Sequence, residues 1–171
     1  FFGDFVEVIN EILDFTKIES GKIELETTEF SLKSIIQDLC NYASINSLDK
    51  ELEILLDNDP NIPNQLIGDS LRLKQILLNL ISNAIKFTEK GSIVIKLSLK
   101  SKTKNTCTID FSVIDTGIGI KENQLAKLFQ DFTQADMTTT RKYGGTGLGL
   151  SISSRFISMM GGKIDVQSEF G

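Results

Sequence analysis

The sequence of 171 residues contains no histidine. This absence excludes histidine as a general acid or base, as a metal ligand and as a site of phosphorylation on the chain itself. Cysteine is scarce as well, because only Cys40 and Cys107 occur, far apart and without a CxxC pattern. Isolated cysteines of this kind are typical of reduced thiols in a cytoplasmic protein rather than of a disulfide framework or a metal centre.

Long apolar runs and basic runs are also missing. No apolar run approaches the ~20 residues that a membrane-spanning helix needs, and no signal peptide is visible. The net charge is −5, which argues against a nucleic-acid partner. The apolar fraction of 40% and the charged fraction of 24% are ordinary for a globular domain. We therefore expect a cytoplasmic chain of one domain, or one domain with an appendage, that contacts neither membrane nor nucleic acid.

Residues 1–15 follow a heptad repeat. With Phe2 at position a, the apolar residues occupy only positions g, a, d and e. An apolar face of four heptad positions favours a helix in a four-helix bundle, because it is wider than a two-stranded seam. A helix folded back on its own domain is the alternative. Ser20-Gly21 is predicted to end the helix.

Apolar periodicity predicts the elements that follow. These are a strand at 22–27, a helix at 30–48 capped by Ser31, a strand at 52–56, a helix at 69–88 capped by Asp69 or Ser70, an antiparallel hairpin of 92–100 with 106–115, helices at 122–129 and 151–160, and a last strand at 163–168.

The helix at 69–88 is apolar around most of its circumference, yet it carries one polar stripe. The stripe consists of Arg72, Gln75, Asn79, Asn83 and Lys86, which are spaced three or four residues apart. A polar stripe on a buried helix needs polar partners, because an unpaired buried amide costs about 1–3 kcal/mol. Those partners are either neighbouring backbone and water or a bound ligand.

Two glycine-rich stretches favour the ligand. The first, DTGIGI at 115–120, ends a predicted strand, and its paired glycines suggest close approach of the backbone to a ligand. The second, GGTGLGL at 144–150, follows a polar segment at 130–143 that is a candidate lid, and it leads into a helix. A glycine-rich segment at a helix N-terminus exposes N–H groups that can hold phosphate, and Arg141 and Lys142 add positive charge. Neither GxGxxG nor GxxxxGK[ST] is present, which excludes the common dinucleotide and P-loop motifs.

Four of these segments resemble the N, G1, F and G2 boxes of sensor histidine kinases of the hybrid type. They are NLISNAIKFT, DTGIGI, LFQDFTQAD and GGTGLGLSIS, in that order. The preceding LDFTKIESGKIELE is similar to the end of the second helix of the dimerisation hairpin in the same family. The resemblance implies an α/β two-layer sandwich of the Bergerat type, a mixed sheet with helices on one face, and a helix from a four-helix-bundle hairpin. It divides the chain into residues 1–20 of the hairpin and a catalytic ATP-binding domain at 21–171, whose last strand is expected to be missing.

The resemblance also implies roles for individual residues, with ATP and Mg²⁺ as cofactors. Asn83 is the expected Mg²⁺ ligand, Asn79 lies one turn earlier, Lys86 reaches phosphate oxygens, and Asp115 accepts the adenine amino hydrogen. The other expected nucleotide-binding residues are Gly117 and Gly119 beside the base and Arg141, Lys142, Gly145, Thr146, Gly147, Leu148 and Gly149 around the phosphates. Phe129 and Phe132 are either anchors of the lid or ordinary core residues.

The implied activity is transfer of the ATP γ-phosphate to a histidine of a dimerisation hairpin, of the same or a partner subunit, and onward to a receiver-domain aspartate. The family acts as a homodimer. Hydrolysing relatives of this fold carry a glutamate where this chain has Asn79, and an amide cannot activate water as a base. A nucleotide-binding module without transfer activity and an ATPase clamp are the two alternatives.

Overall fold

The structure of the chain is a computed structural model that describes residues 2–131 and 147–171, with side chains at Val6 and from residue 8 onward. Its elements, in chain order, are α1 (Phe2–Glu19), β1 (Thr28–Ser31), α2 (Leu32–Asn46), β2 (Glu51–Asn58), β3 (Gln65–Gly68), α3 (Ser70–Phe87), β4 (Lys90–Lys102), β5 (Cys107–Asp115), α4 (Glu122–Leu125) and α5 (Gly149–Met159). Across these residues, no helix combines the length and hydropathy that a membrane span requires.

The chain divides into two compact units. We call Thr27–Ile118 the sheet unit, and Phe1–Glu26 together with Gly119–Gly171 the second unit. In the sheet unit, β4 lies between β2 and β5, parallel to β2 and antiparallel to β5. β1 and β3 form a separate antiparallel pair. The mixed sheet and the antiparallel hairpin of β4 and β5 are as predicted.

The two long helices of the sheet unit begin at side-chain caps. Ser31 Oγ accepts a hydrogen bond from Ser34 N at 3.2 Å, and Asp69 Oδ1 accepts one from Arg72 N at 2.9 Å. Each bond satisfies a backbone N–H that has no partner within the first turn of a helix. The predicted caps of α2 and α3 are therefore confirmed.

The core of the sheet unit lies between these two helices and one face of the three-stranded sheet. Alternation along β4 buries Ile93, Ile95 and Leu97, while the intervening residues face the other side. The buried apolar residues of this core are Leu32, Ile35, Ile36, Leu39, Ala43, Leu77, Ile81, Ala84, Ile85, Ile93, Ile95 and Leu97. On the opposite face, Lys96 of β4 pairs with Asp57 of β2 at 3.0 Å. One face of this sheet is thus covered by helices and the other carries charge.

In the second unit, α1 contacts α5. Arg155 of α5 forms ion pairs with Glu19 at the end of α1 and with Asp131, and its guanidinium lies 5.2 Å from the centre of the Phe15 ring. Several apolar side chains of α1 are nevertheless largely exposed, namely Val6, Ile9, Ile12 and Leu13. The four-helix bundle that the heptads suggest stays a prediction, as does the domain boundary at residue 20.

The end of α1 follows the prediction. Gly21 N donates to Ile18 O and Lys22 N donates to Lys17 O, both at 3.0 Å. This pair of bonds terminates a helix by satisfying its last carbonyls.

Three predicted elements are wrong. Residues 22–27 and 163–168 form no strand, although both alternate in hydropathy, since a strand also needs a partner to complete its hydrogen bonds. The helix predicted at 122–129 ends at Leu125 and continues as turns, with bonds such as Leu128 N to Leu125 O. The short strand β3 was not predicted.

Candidate functional site

The polar stripe of α3 is half-buried and partly paired within itself. Arg72 Nη1 donates to Gln75 Oε1 at 2.8 Å, and Asn83 Nδ2 donates to Asn79 Oδ1 at 3.4 Å. In the part of the chain with described side chains, no fully buried side-chain nitrogen or oxygen lacks a partner. Side chains of the stripe therefore satisfy part of one another's hydrogen bonding, which neither of the two alternatives specified. The other polar atom of the Asn83 amide is its oxygen, and oxygen is the ligand atom that Mg²⁺ prefers.

Asp115 ends β5 and is exposed, and its carboxylate is held by two hydrogen bonds. Gly117 N donates to Asp115 Oδ1 at 2.9 Å, and Thr88 Oγ1 donates to the same atom at 3.4 Å. Both bonds engage one carboxylate oxygen, so the other can accept from an N–H donor such as an adenine amino group. This geometry fits the expected role of Asp115.

Gly117 lies where no side chain can be accommodated. A Cβ atom there would stand 2.5 Å from Phe87 O, 2.8 Å from Asp115 Oδ1 and 2.8 Å from Thr88 Oγ1. Contacts within the chain thus already require glycine at this position, and the expected contact of Gly117 with the base remains a prediction.

The C-terminal end of α3 and the loop after β5 are joined directly. Phe87 O accepts a hydrogen bond from Ile118 N at 3.2 Å, and Thr88 bonds to Asp115 as described above. Lys86 lies in the last turn of the same helix, and Asn83 directly precedes that turn. The sheet unit therefore brings the expected metal, phosphate and adenine groups to one end of α3.

Thr88 is a site residue that the sequence reasoning missed. It is fully buried, and its N–H donates to Ala84 O at 3.1 Å while its hydroxyl contacts Asp115. A threonine directly after a predicted helix is a weak signal, because many threonines end helices without a further role.

Gly119 belongs to the second unit and has φ +68°. A Cβ atom there would stand 1.9 Å from Glu169 O, so both the backbone conformation and the close approach of residue 169 require glycine. Nearby, Ile120 N donates to Ser168 Oγ at 2.9 Å. As with Gly117, the chain itself accounts for this glycine.

The described part of the second glycine-rich stretch lies at the start of α5. Leu148 is buried and precedes the helix, which begins at Gly149 rather than at residue 151 as predicted. Leu148 O accepts from Ile152 N at 2.9 Å and from Ser151 Oγ at 2.9 Å. Gly147 directly precedes Leu148, so the predicted run of glycine-rich chain into a helix is confirmed for these residues.

The other expected phosphate-binding residues lie outside the described residues. They are Arg141, Lys142, Gly145 and Thr146, and the same holds for the expected lid residue Phe132. The other expected lid residue, Phe129, is half-buried in the turns that follow α4. Neither of its two interpretations is decided by that burial.

The thiol of Cys40 matches the sequence-based expectation of a reduced cysteine. Burial beside the core of the sheet unit raises its pKa, which disfavours the reactive thiolate. Cys40 and Cys107 are both free cysteines.

Comparison with known proteins extends these observations. Residues 68–171 match the family described as histidine kinase-, DNA gyrase B- and HSP90-like ATPases. The chain is 47% identical over 166 residues to hybrid signal transduction histidine kinase B of Dictyostelium discoideum. The aligned region covers 97% of the chain and 8% of that protein. The chain is also 42% identical over 167 residues to signal transduction histidine-protein kinase BarA of Escherichia coli strain K12. That alignment covers 98% of the chain and 18% of BarA. The chain thus spans less than a fifth of the length of these two curated relatives.

A solved structure gives the same result for the fold. Full-length ShkA in complex with AMPPNP superposes with a TM-score of 0.81 at 32% identity, over 98% of this chain and 34% of ShkA. The predicted α/β sandwich is confirmed by this similarity together with the family match.

Proposed function

Because the chain belongs to the family of histidine kinase-, DNA gyrase B- and HSP90-like ATPases, we propose that it binds ATP with Mg²⁺ as the catalytic domain of a hybrid sensor histidine kinase. It directs the γ-phosphate to a histidine on a dimerisation hairpin, and the phosphate then passes to a receiver-domain aspartate. The acceptor belongs to a segment other than these residues, since they contain no histidine. The observation that carries the proposal is the junction of α3 with the Asp115–Gly117 loop.

Each end of the nucleotide is met by residues of matching chemistry. The Asp115 carboxylate accepts the adenine amino hydrogen, and Thr88 and Gly117 N hold that carboxylate in place. The Asn83 oxygen binds Mg²⁺, and the Lys86 ammonium neutralises phosphate charge. Bound Mg²⁺ supplies charge neutralisation at the phosphates. The AMPPNP complex of the similar protein ShkA supports a nucleotide as the ligand.

Asn79 favours transfer over hydrolysis. Its amide takes no proton near neutral pH, so a water molecule beside it lacks a general base. An incoming histidine is a nucleophile by itself, and its attack requires chiefly positioning and charge neutralisation. The chain therefore turns ATP over slowly when no acceptor hairpin is supplied.

The partners follow from this reaction. They are the histidine-bearing helix of the same or a partner subunit, a receiver domain, and a second copy of the protein in the full-length homodimer. The exposed apolar side chains of α1 suit the hairpin interface. We propose residues 1–20 as the end of the second hairpin helix and residues 21–171 as the catalytic domain, in the cytoplasm.

Calorimetric titration of the chain with Mg-ATP tests the binding site. We expect Asp115→Asn and Asn83→Ala each to weaken binding about ten- to a hundredfold, the range that loss of a hydrogen bond to a charged group produces. Asp110→Asn is the matched control, because Asp110 lies on the same strand and its exposed carboxylate pairs with Lys100 at 3.5 Å. Unchanged affinity in both site variants would refute the site assignment.

A second experiment tests the reaction. Labelled ATP is incubated with the chain alone and with a separate hairpin that carries a histidine. We expect label on the hairpin only, in an acid-labile linkage. Rapid release of ADP by the chain alone would favour the ATPase clamp, and tight binding without transfer to any hairpin would favour a binding module.

A further inference from the structure

The side chain of Lys50 lies at the C-terminal end of α3, although Lys50 is 35 residues from Ile85 in the sequence. Lys50 directly precedes β2, and its Nζ donates to Ile85 O at 2.5 Å, to Thr88 O at 3.0 Å and to Lys86 O at 3.5 Å. Glu89 Oε2 lies 3.9 Å from the same nitrogen. The Lys50 side chain is only 22% exposed, so water has limited access to these contacts.

These bonds complete the hydrogen bonding of the last turn. A helix leaves its last four carbonyls without partners inside the helix. In α3, Ala84 O accepts from Thr88 N at 3.1 Å, and Phe87 O accepts from Ile118 N at 3.2 Å. Lys50 supplies donors for the remaining two, Ile85 O and Lys86 O. Its positive charge also faces the negative end of the helix dipole.

The same turn supports the proposed adenine site. Thr88 bonds to Lys50 through its carbonyl and to Asp115 through its hydroxyl. The carbonyl of Phe87 holds Ile118, directly after the Gly117 that bonds to Asp115. A shift of the last turn of α3 would therefore move the carboxylate and the loop together.

We propose that Lys50 is a positioning residue for nucleotide binding, which fixes the end of α3 and through it the Asp115–Gly117 loop. This inference rests on the proposed function, since it concerns the same site. Lys50 bonds to the backbone carbonyls of Ile85, Lys86 and Thr88, so its effect on the adenine carboxylate is transmitted by the backbone of residues 85–88.

Lys50→Met tests the inference, because methionine keeps the aliphatic stem and removes the donors. At a temperature where every variant is folded, calorimetry gives the affinity for Mg-ATP, and hydrogen exchange gives the protection of the Gly117 and Ile118 amides. We expect the affinity to be about tenfold weaker and the exchange of both amides to be about tenfold faster. Loss of a hydrogen bond to a charged group changes an equilibrium constant by about this factor. Exchange of the Ile95 amide at the sheet centre should be unchanged.

Two further variants sharpen the result. Lys50→Arg retains charge and donors and should restore most of the affinity. Lys90→Met is the matched control, because the Lys90 side chain is 79% exposed and pairs with Glu51, the neighbour of Lys50. Its affinity should stay within about twofold of the wild type, as for most surface changes. Should Lys50→Met not fold, Lys50→Gln, which keeps an amide donor, is expected to show the same effects at smaller size.

A lowered melting temperature with unchanged affinity and unchanged exchange of Gly117 and Ile118 would overturn the inference and leave Lys50 as a purely stabilising residue. If the wild type itself fails to bind Mg-ATP, the proposed function fails instead. The exchange rates of the two amides then decide alone whether Lys50 positions the loop.

Discussion

The sheet unit and the second unit differ in the contacts that stabilise each of them internally. In the sheet unit, α2, α3 and β4 share one continuous apolar core of fully buried side chains. In the second unit, the buried apolar residues Leu148, Ile152 and Phe156 are not members of that core. There α1 and α5 are joined by the ion pairs of Arg155 and its contact with Phe15.

The residues expected to bind the nucleotide are distributed over both units. Asn83, Lys86 and Asp115 stand on elements whose positions are fixed by packing, and close packing permits only small displacements. Gly147 and Gly149 belong to the second unit, in which the ion pairs of Arg155 link α1 and α5. Since polar surface contacts contribute little stability, we expect the second unit to open locally at lower free energy than the sheet unit.

The largest change in stability is expected from a matched pair of core truncations, one in each unit. Ile81 in α3 is 0% exposed and Ile152 in α5 is 2% exposed. We expect Ile81→Ala to lower the free energy of unfolding by about 4 kcal/mol and Ile152→Ala by about 2 kcal/mol, because a cavity costs more where the surroundings cannot relax. Urea denaturation measures both.

Leu71→Ala is the control for this pair, since Leu71 lies on α3 but is 62% exposed. It should change stability by no more than about 0.5 kcal/mol. Equal losses for Ile81→Ala and Ile152→Ala would show that the second unit has a core as rigid as that of the sheet unit.

A smaller effect is expected at Arg155. The hydrogen bond from Arg155 to Glu19, together with Asp131, raises the pKa of the guanidinium, which is charged at neutral pH in any case. Arg155→Met keeps an aliphatic stem but removes both ion pairs and the guanidinium over Phe15, and we expect a loss of about 1 kcal/mol that shrinks as salt is added. Urea denaturation at low and high ionic strength measures it.

Lys74→Met provides the comparison for Arg155. Lys74 forms an ion pair with Asp38 at 2.5 Å, and its side chain is 37% exposed compared with 32% for Arg155. Its removal should cost at most about 0.5 kcal/mol. If it cost as much as Arg155→Met, the joint between α1 and α5 would be no stronger than an ordinary surface pair.

The smallest effect concerns Asp59, which ties the connection after β2 to β4. Hydrogen bonds from Asn61 N and Asn61 Nδ2, with a further one from Leu99 N, lower the pKa of its carboxyl. A lowered folded-state pKa means that the ionised group stabilises the fold above the unfolded-state pKa, and that this contribution is lost as pH falls through the folded-state pKa.

Asp59→Asn should therefore lower the melting temperature slightly at neutral pH and match the wild type in strong acid. Melting curves across this pH range measure the difference. Asp57→Asn, which removes only the exposed pair with Lys96, is the control and should not reproduce the pH dependence. A difference for Asp59→Asn that persisted in acid would contradict the assignment to its charge.

Local patterns were sufficient for the elements that pack against the core. The period of α3, its Asp69 cap and the alternation of β4 and β5 all predicted what the structure contains. These features depend on neighbours in sequence, because one buried face imposes a period of 3.6 or 2 on the residues. The strand predicted at 22–27 is wrong because hydropathy alternation alone does not form a strand. No neighbouring strand pairs with these residues in the described part of the chain.

The sequence by itself determined the family, because four ordered motifs carry that information in short segments, and it supplied every proposed site residue except Thr88. Only the tertiary structure decided that Lys50 caps α3, that Thr88 holds Asp115 and that β1 pairs with β3. Each of these contacts joins residues distant in the chain or depends on where a helix ends in space. Hydrogen-bond complementarity of this kind is set by three-dimensional distance, and residue periodicity does not encode it.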